Sequence, residues 1–122
     1  MLKNPYLQTT KFETFNDGSV RIYKLKDVSY PGDQPDLKPC LYRTHSFQYK
    51  TIGAKQKYEA MQAQVRLDEK VKIHLDRGIS SQDVAVIDNI QYKIIHAQHF
   101  TTTKPATTIL TLQRLEEIYD DL

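Results

Sequence analysis

The stretch from Val65 to Leu75 constrains the chain more than any other. Its odd positions are Val65, Leu67, Val71, Ile73 and Leu75, interrupted only by Glu69. Its even positions, Arg66, Asp68, Lys70, Lys72 and His74, are all polar. Side chains on a strand alternate between faces, so this pattern predicts a strand with one buried and one wet face. Glu69 is expected to mark a bulge or a bend. Such a strand needs partners, and the composition supplies them. The chain has 11 Thr, 10 Ile, 8 Tyr and 6 Val against only six Ala. That balance favours strands over helices.

The partners can be placed along the chain. Thr9 to Phe15 and Ser19 to Lys26 read as a hairpin around the turn Asn16-Asp17-Gly18. Residues 28–39 are expected to be an exposed loop, because Tyr30 to Pro39 holds three prolines and a glycine. Leu41 to Lys50 reads as extended. Val84 to Ile87 and Ile90 to Ile95 flank Asp88-Asn89, which can adopt the positive φ of a two-residue turn. That loop length sets Ile87 opposite Ile90 and Ala85 opposite Tyr92. Ala85, Ile87, Ile90, Tyr92 and Ile94 then face the core. The other face, with Val84, Val86, Gln91, Lys93 and Ile95, is half apolar, which predicts a closed barrel or a subunit contact. Thr107 to Leu112 is the last strand.

Two segments carry helical spacing instead. Gly53 breaks the strand pattern, and Ala54, Tyr58, Met61 and Val65 then form one stripe of a helix of about three turns. A helix this short needs a surface to pack on. Leu115, Ile118, Tyr119 and Leu122 predict a helical turn or two at the end, with acids outward. The sum is one domain over residues 1–122, mainly β: a small antiparallel β-barrel or sandwich of six to seven strands with one short α-helix.

Charge is divided unevenly. The net +2 combines a basic first half with an acidic second half. Leu37 to Tyr58 holds Lys38, Arg43, Lys50, Lys55 and Lys57 and no acid, whereas residues 116–122 hold Glu116, Glu117, Asp120 and Asp121 and no base. Ends of opposite sign suit head-to-tail contacts between copies. Charged residues at 26% and hydrophobic ones at 39% fit a folded soluble domain. No apolar run reaches the roughly 18 residues of a membrane span, and the opening residues lack the apolar stretch of a signal peptide. Cys40 is the single cysteine, so no internal disulfide and no multi-cysteine zinc site is expected.

No catalytic, metal-binding or cofactor-binding set is expected. His96 and His99 are an odd number apart on a strand and face opposite ways. Cys40 and His45 lack the rest of a thiol-enzyme set, and the four isolated glycines form no phosphate loop. A second class is nucleic-acid binding. Tyr42, Phe47, Tyr49 and Tyr58 interleave with the basic residues of the middle, as in OB-like barrels. The acidic end opposes that reading. A third class is a subunit of an assembly.

The residues from Thr51 to about Leu115 resemble the head-tail joining (head-completion, or stopper) proteins of long-tailed phages. The likeness rests on Gly53-Ala54, Tyr58-Glu59-Ala60-Met61-Gln62, Val71-Lys72-Ile73 and Gly78-Ile79. It continues through Asp83-Val84-Ala85-Val86-Ile87, Tyr92-Lys93-Ile94-Ile95 with Gln98, and Thr108-Ile109-Leu110-Thr111-Leu112. It is carried by the order of these pieces. The family's usual glycine in the Asp88-Asn89 turn is missing, and residues 28–39 are peculiar to this chain.

The resemblance implies a virion connector protein, in the host cytoplasm during assembly and then at the head-tail interface. Copies would form a ring below the portal and adaptor, close the channel on packaged DNA and present a docking surface for tail terminator or tail tube proteins. A tail terminator of the same connector is the alternative within the class. The channel segment maps to Tyr49 to Gln64, with Gly53 as hinge, and takes in Lys50, Lys55, Lys57, Tyr58 and Met61. Val84, Val86, Ile95, Ile118, Tyr119 and Leu122 are the expected subunit contacts.

Overall fold

The computed structural model describes residues 14–120 and 122. Among the described residues, six strands, β1 (Gly18–Asp27), β2 (Leu37–Tyr49), β3 (Glu69–His74), β4 (Val84–Ile87), β5 (Ile90–Phe100) and β6 (Thr107–Arg114), surround one core, with one helix, α1 (Ala54–Gln62), outside it. All pairings are antiparallel and the sheet closes in the order β1-β2-β3-β6-β5-β4. Closure removes the exposed edges that an open sheet of this size presents. The core holds Val20, Ile22, Phe47, Val71, Ile73, Ile79, Ala85, Ile87, Ile94, Leu110 and Leu112.

The β4–β5 hairpin forms as its turn chemistry dictates. Asp88 and Asn89 have φ of 50° and 65°, both left-handed, which matches the twist of the flanking strands. Ile87 pairs with Ile90 and Ala85 with Tyr92, the expected register. The alternation at Val71 and Ile73 also holds, since both side chains are fully buried.

Other expectations are corrected. The strand expected from Val65 begins only at Glu69, and its register with β6 runs on from Glu69↔Leu112 without a bulge. Val65 carried both a helical and a strand signal, and the structure gives it neither. Gln64 adopts φ 57°, the Gln64 N–H donates to Met61 O and the Val65 N–H to Ala60 O. These two bonds form a Schellman motif, which ends α1 and redirects the chain. The bulges lie elsewhere: Tyr42 is the extra residue on β2 and Ile95 the extra residue on β5. Nor is the outer face of β3 simply wet. Lys70 donates to Gln56 of the helix, His74 stacks on Phe15, and Lys72 between them is buried.

The proline-rich loop is shorter than expected, because Leu37, Lys38 and Pro39 already belong to β2. Among the described residues this part of β2 pairs with β1 alone. A proline, which has no N–H to give a second neighbour, is tolerated there. The Asp27 carboxylate staples the loop. It accepts hydrogen bonds from the Ser29 N–H and hydroxyl and from the Asp36 N–H, which hold it below its ordinary pKa. β1 makes its hairpin with β2. The strand expected over Thr9 to Phe15 lies largely outside the described residues, and Thr14 to Asn16 are not in a strand. The helical turn expected at the end is also absent among the described residues. Glu116 to Asp120 form an irregular segment.

Candidate assembly surfaces

Closure of the barrel sorts the predicted residues into separate places. Gly53, Lys50, Lys55, Lys57, Tyr58 and Met61 are all exposed, Tyr58 by 62% and Met61 by 71%. The helix buries no residue at all. It touches the barrel through polar Gln56, which bonds Lys70 on β3 and Thr111 on β6. The stripe expected to pack inward therefore points to solvent. Gly53 begins the helix at φ −66° and accepts the first helical bond, from the Lys57 N–H. The C-terminal end of α1 and the chain that follows form an open groove of about 390 Å³, lined by apolar Ala60, Met61, Val65 and Leu67 together with Gln64 and the cations Lys57 and Arg66.

The predicted contact residues divide three ways. Val84 and Val86 are buried under the chain's own end. With Tyr23 they form a second apolar cluster outside the barrel, covered by Leu25, Leu115, Tyr119 and Leu122. Ile95, displaced by its bulge, is half-buried and outside that cluster. Ile118 is 68% exposed. The half-apolar outer face of β4 is thus satisfied within one copy. Gln91 secures the cover: its side-chain amide donates to Tyr119 O at 2.7 Å and accepts from Tyr119 N at 2.8 Å. This fork mimics a strand partner and takes the place of the missing helix. No sequence pattern distinguishes such a Gln from a surface one.

The basic and aromatic middle does not present one stacking platform. Phe47 is core, and Tyr49 packs edge-on against it with ring centres 4.8 Å apart. Tyr42 lies between Lys24 and Arg43, each about 5 Å from its ring centre, and gives its hydroxyl to Asp76.

That carboxylate is the main polar feature the sequence reading missed. β2 and β3 share only the pairs Gln48↔Lys72 and Tyr49↔Val71. Beyond them the barrel is held by Asp76, whose side chain is 2% exposed. It receives the Tyr42 hydroxyl at 3.0 Å, Arg43 Nη1 at 3.2 Å and the Gly78 N–H at 3.0 Å, and lies 2.8 Å from His45 Nε2. Burial pushes the carboxyl pKa up. The bonds from His45, Gly78 and Tyr42 and the charge of Arg43 outweigh burial, so it lies below the ordinary value. A Cβ on Gly78 would collide with the Tyr42 hydroxyl, which explains the glycine. Asp76-Arg77-Gly78 could be read from sequence as a turn, but not as one whose first side chain is buried while Arg77 and Gly78 stay exposed.

Among the described residues no cluster of three or more His, Cys, Asp or Glu could hold a metal, and no helix is long and apolar enough to cross a membrane. No family model matches the chain, and no curated protein matches it.

Proposed function

We propose that this protein is a structural connector subunit of a phage particle, with no catalytic role, that works as one copy in a ring closing the DNA channel below the portal. The observation that carries this reading is the helical segment: a basic, apolar stretch with no buried residue, tied to the barrel by the polar bonds of Gln56 while Tyr58 and Met61 stay exposed. A nine-residue helix is unstable alone, and an uncovered Tyr and Met beside two lysines suit a surface completed by other molecules. The resemblance over Thr51 to Leu115 supplies the ring and the channel. The dispersed aromatic residues make an OB-like nucleic-acid binder the weaker reading. In the connector, Lys50, Lys55 and Lys57 face the channel or acidic groups of a neighbour.

The test is a triple reversal of Lys50, Lys55 and Lys57 to Glu in the particle. All three side chains are exposed, so the barrel should fold normally. Filled heads are expected to lose DNA before tails attach. Particles that keep their DNA and join tails at the normal yield would overturn the channel assignment.

A further inference from the structure

The groove beside α1 and the outer side of the C-terminal segment are complementary. The groove is lined by apolar Ala60, Met61, Val65 and Leu67 and by the cations Lys57 and Arg66. Arg66 is held in place, its Nε 2.7 Å from Asp68 Oδ1, while its side chain stays 64% exposed. Asp68 is itself tied to the Arg114 N–H. The C-terminal segment has two sides. Leu115, Tyr119 and Leu122 sit on the chain's own barrel, and Glu116, Glu117, Ile118 and Asp120 are exposed. Ile118, at the edge of a groove it lines with Leu37, Lys38 and Pro39 of its own chain, thus remains a largely exposed apolar side chain among acids, and matches a groove lined by apolar residues and two cations.

Topology decides whose groove it fills. The helix lies on β3 and β6 through Gln56, and the C-terminal segment lies over β1 and β4. In the closed order β1-β2-β3-β6-β5-β4 these two strand pairs are diametrically opposed. A seated segment cannot reach its own groove.

We infer that the groove binds the outer side of residues 116–120 of a second copy. Ile118 enters the groove between Ala60 and Met61, and the flanking acids meet Lys57 and Arg66. The contact joins two different surfaces, so it is head-to-tail and propagates into a ring or a filament instead of stopping at a two-fold dimer. It deepens the ring reading above and rests on it for the choice of a second copy as occupant.

Disulfide trapping in the full-length protein, with Cys40→Ser as background, tests the contact. One protein carries Gln64→Cys on the groove and another Glu117→Cys beside Ile118, both at exposed positions, so that Met61 and Ile118 themselves are kept. Mixed in equal amounts and oxidised, they are expected to give about five mixed dimers for every symmetric dimer, against one for one under random pairing. The protein with both substitutions should give a ladder of higher multimers. Arg66→Glu should bring that ratio back close to random pairing, and raised salt should lower it, because both partners are charged and exposed. Random pairing, or symmetric dimers only, would overturn the contact. Trapping by a protein that fails to join heads to tails would leave the contact standing and remove the connector reading. Joining without trapping would do the reverse.

Discussion

Asp76 shows how much can depend on one buried side chain. It closes the seam where β2 and β3 share only two residue pairs. Its folded pKa lies below 3.8, so its contribution to stability is present above that value and lost as pH falls through the folded pKa. Asp76→Asn keeps the shape and removes the charge. Urea unfolding at pH 7 should show a loss of about 2 kcal/mol, since Arg43 at the rim is half exposed and screened. At pH 3 the gap from the wild type should shrink, and a gap independent of pH would argue against the network. The parts of this site were individually visible in the sequence: a turn, a tyrosine, a histidine. Their convergence was not, because it depends on the bulge at Tyr42 and on a register that pairs residues 30 or more positions apart.

At the scale of elements, legibility followed the kind of signal. The β4–β5 hairpin was readable to the residue, because two adjacent positive-φ positions permit only one register. Val65 was not, because helical and strand periods overlapped there and a left-handed Gln64 decided between them. A side chain in that conformation is strained, so Gln64→Gly should stabilise the protein by about 0.5–1 kcal/mol, measurable as a rise in Tm. Gly53, by contrast, does not use its freedom in this conformation, and its φ of −66° is what proline prefers. Gly53→Pro should leave the circular dichroism spectrum and Tm nearly unchanged. If the segment swings during assembly, head joining should fall sharply, whereas normal joining would rule out a hinge there. The C-terminal segment was misread as a helix because its spacing suits one equally well. Leu115, Tyr119 and Leu122 do turn to the barrel as the spacing implied, but Ile118 does not, and Gln91 holds the backbone. Gln91→Ala should cost about 1 kcal/mol and hasten proteolysis after Arg114.

The molecule as a whole has two poles, a basic one at α1 and an acidic one at the C-terminal segment, on opposite sides of a closed barrel. The mainly β class and the short helix followed from composition and alternation. The poles needed the strand order, because charge along a sequence has no direction until the sheet closes. A copy with a working groove and a damaged Ile118 should enter an assembly and stop it. Adding Ile118→Asp protein to the wild type is therefore expected to lower the yield of joined particles more steeply than its share of the mixture, and a proportional decline would count against propagation. The cover over Val84 and Val86 has one more consequence, in the order of synthesis. Ribosomes deliver every strand of the barrel before they deliver Leu115, Tyr119 and Leu122. A chain cut short after Arg114 therefore keeps every one of these strands and leaves the outer apolar cluster bare, open to chaperones and to other copies.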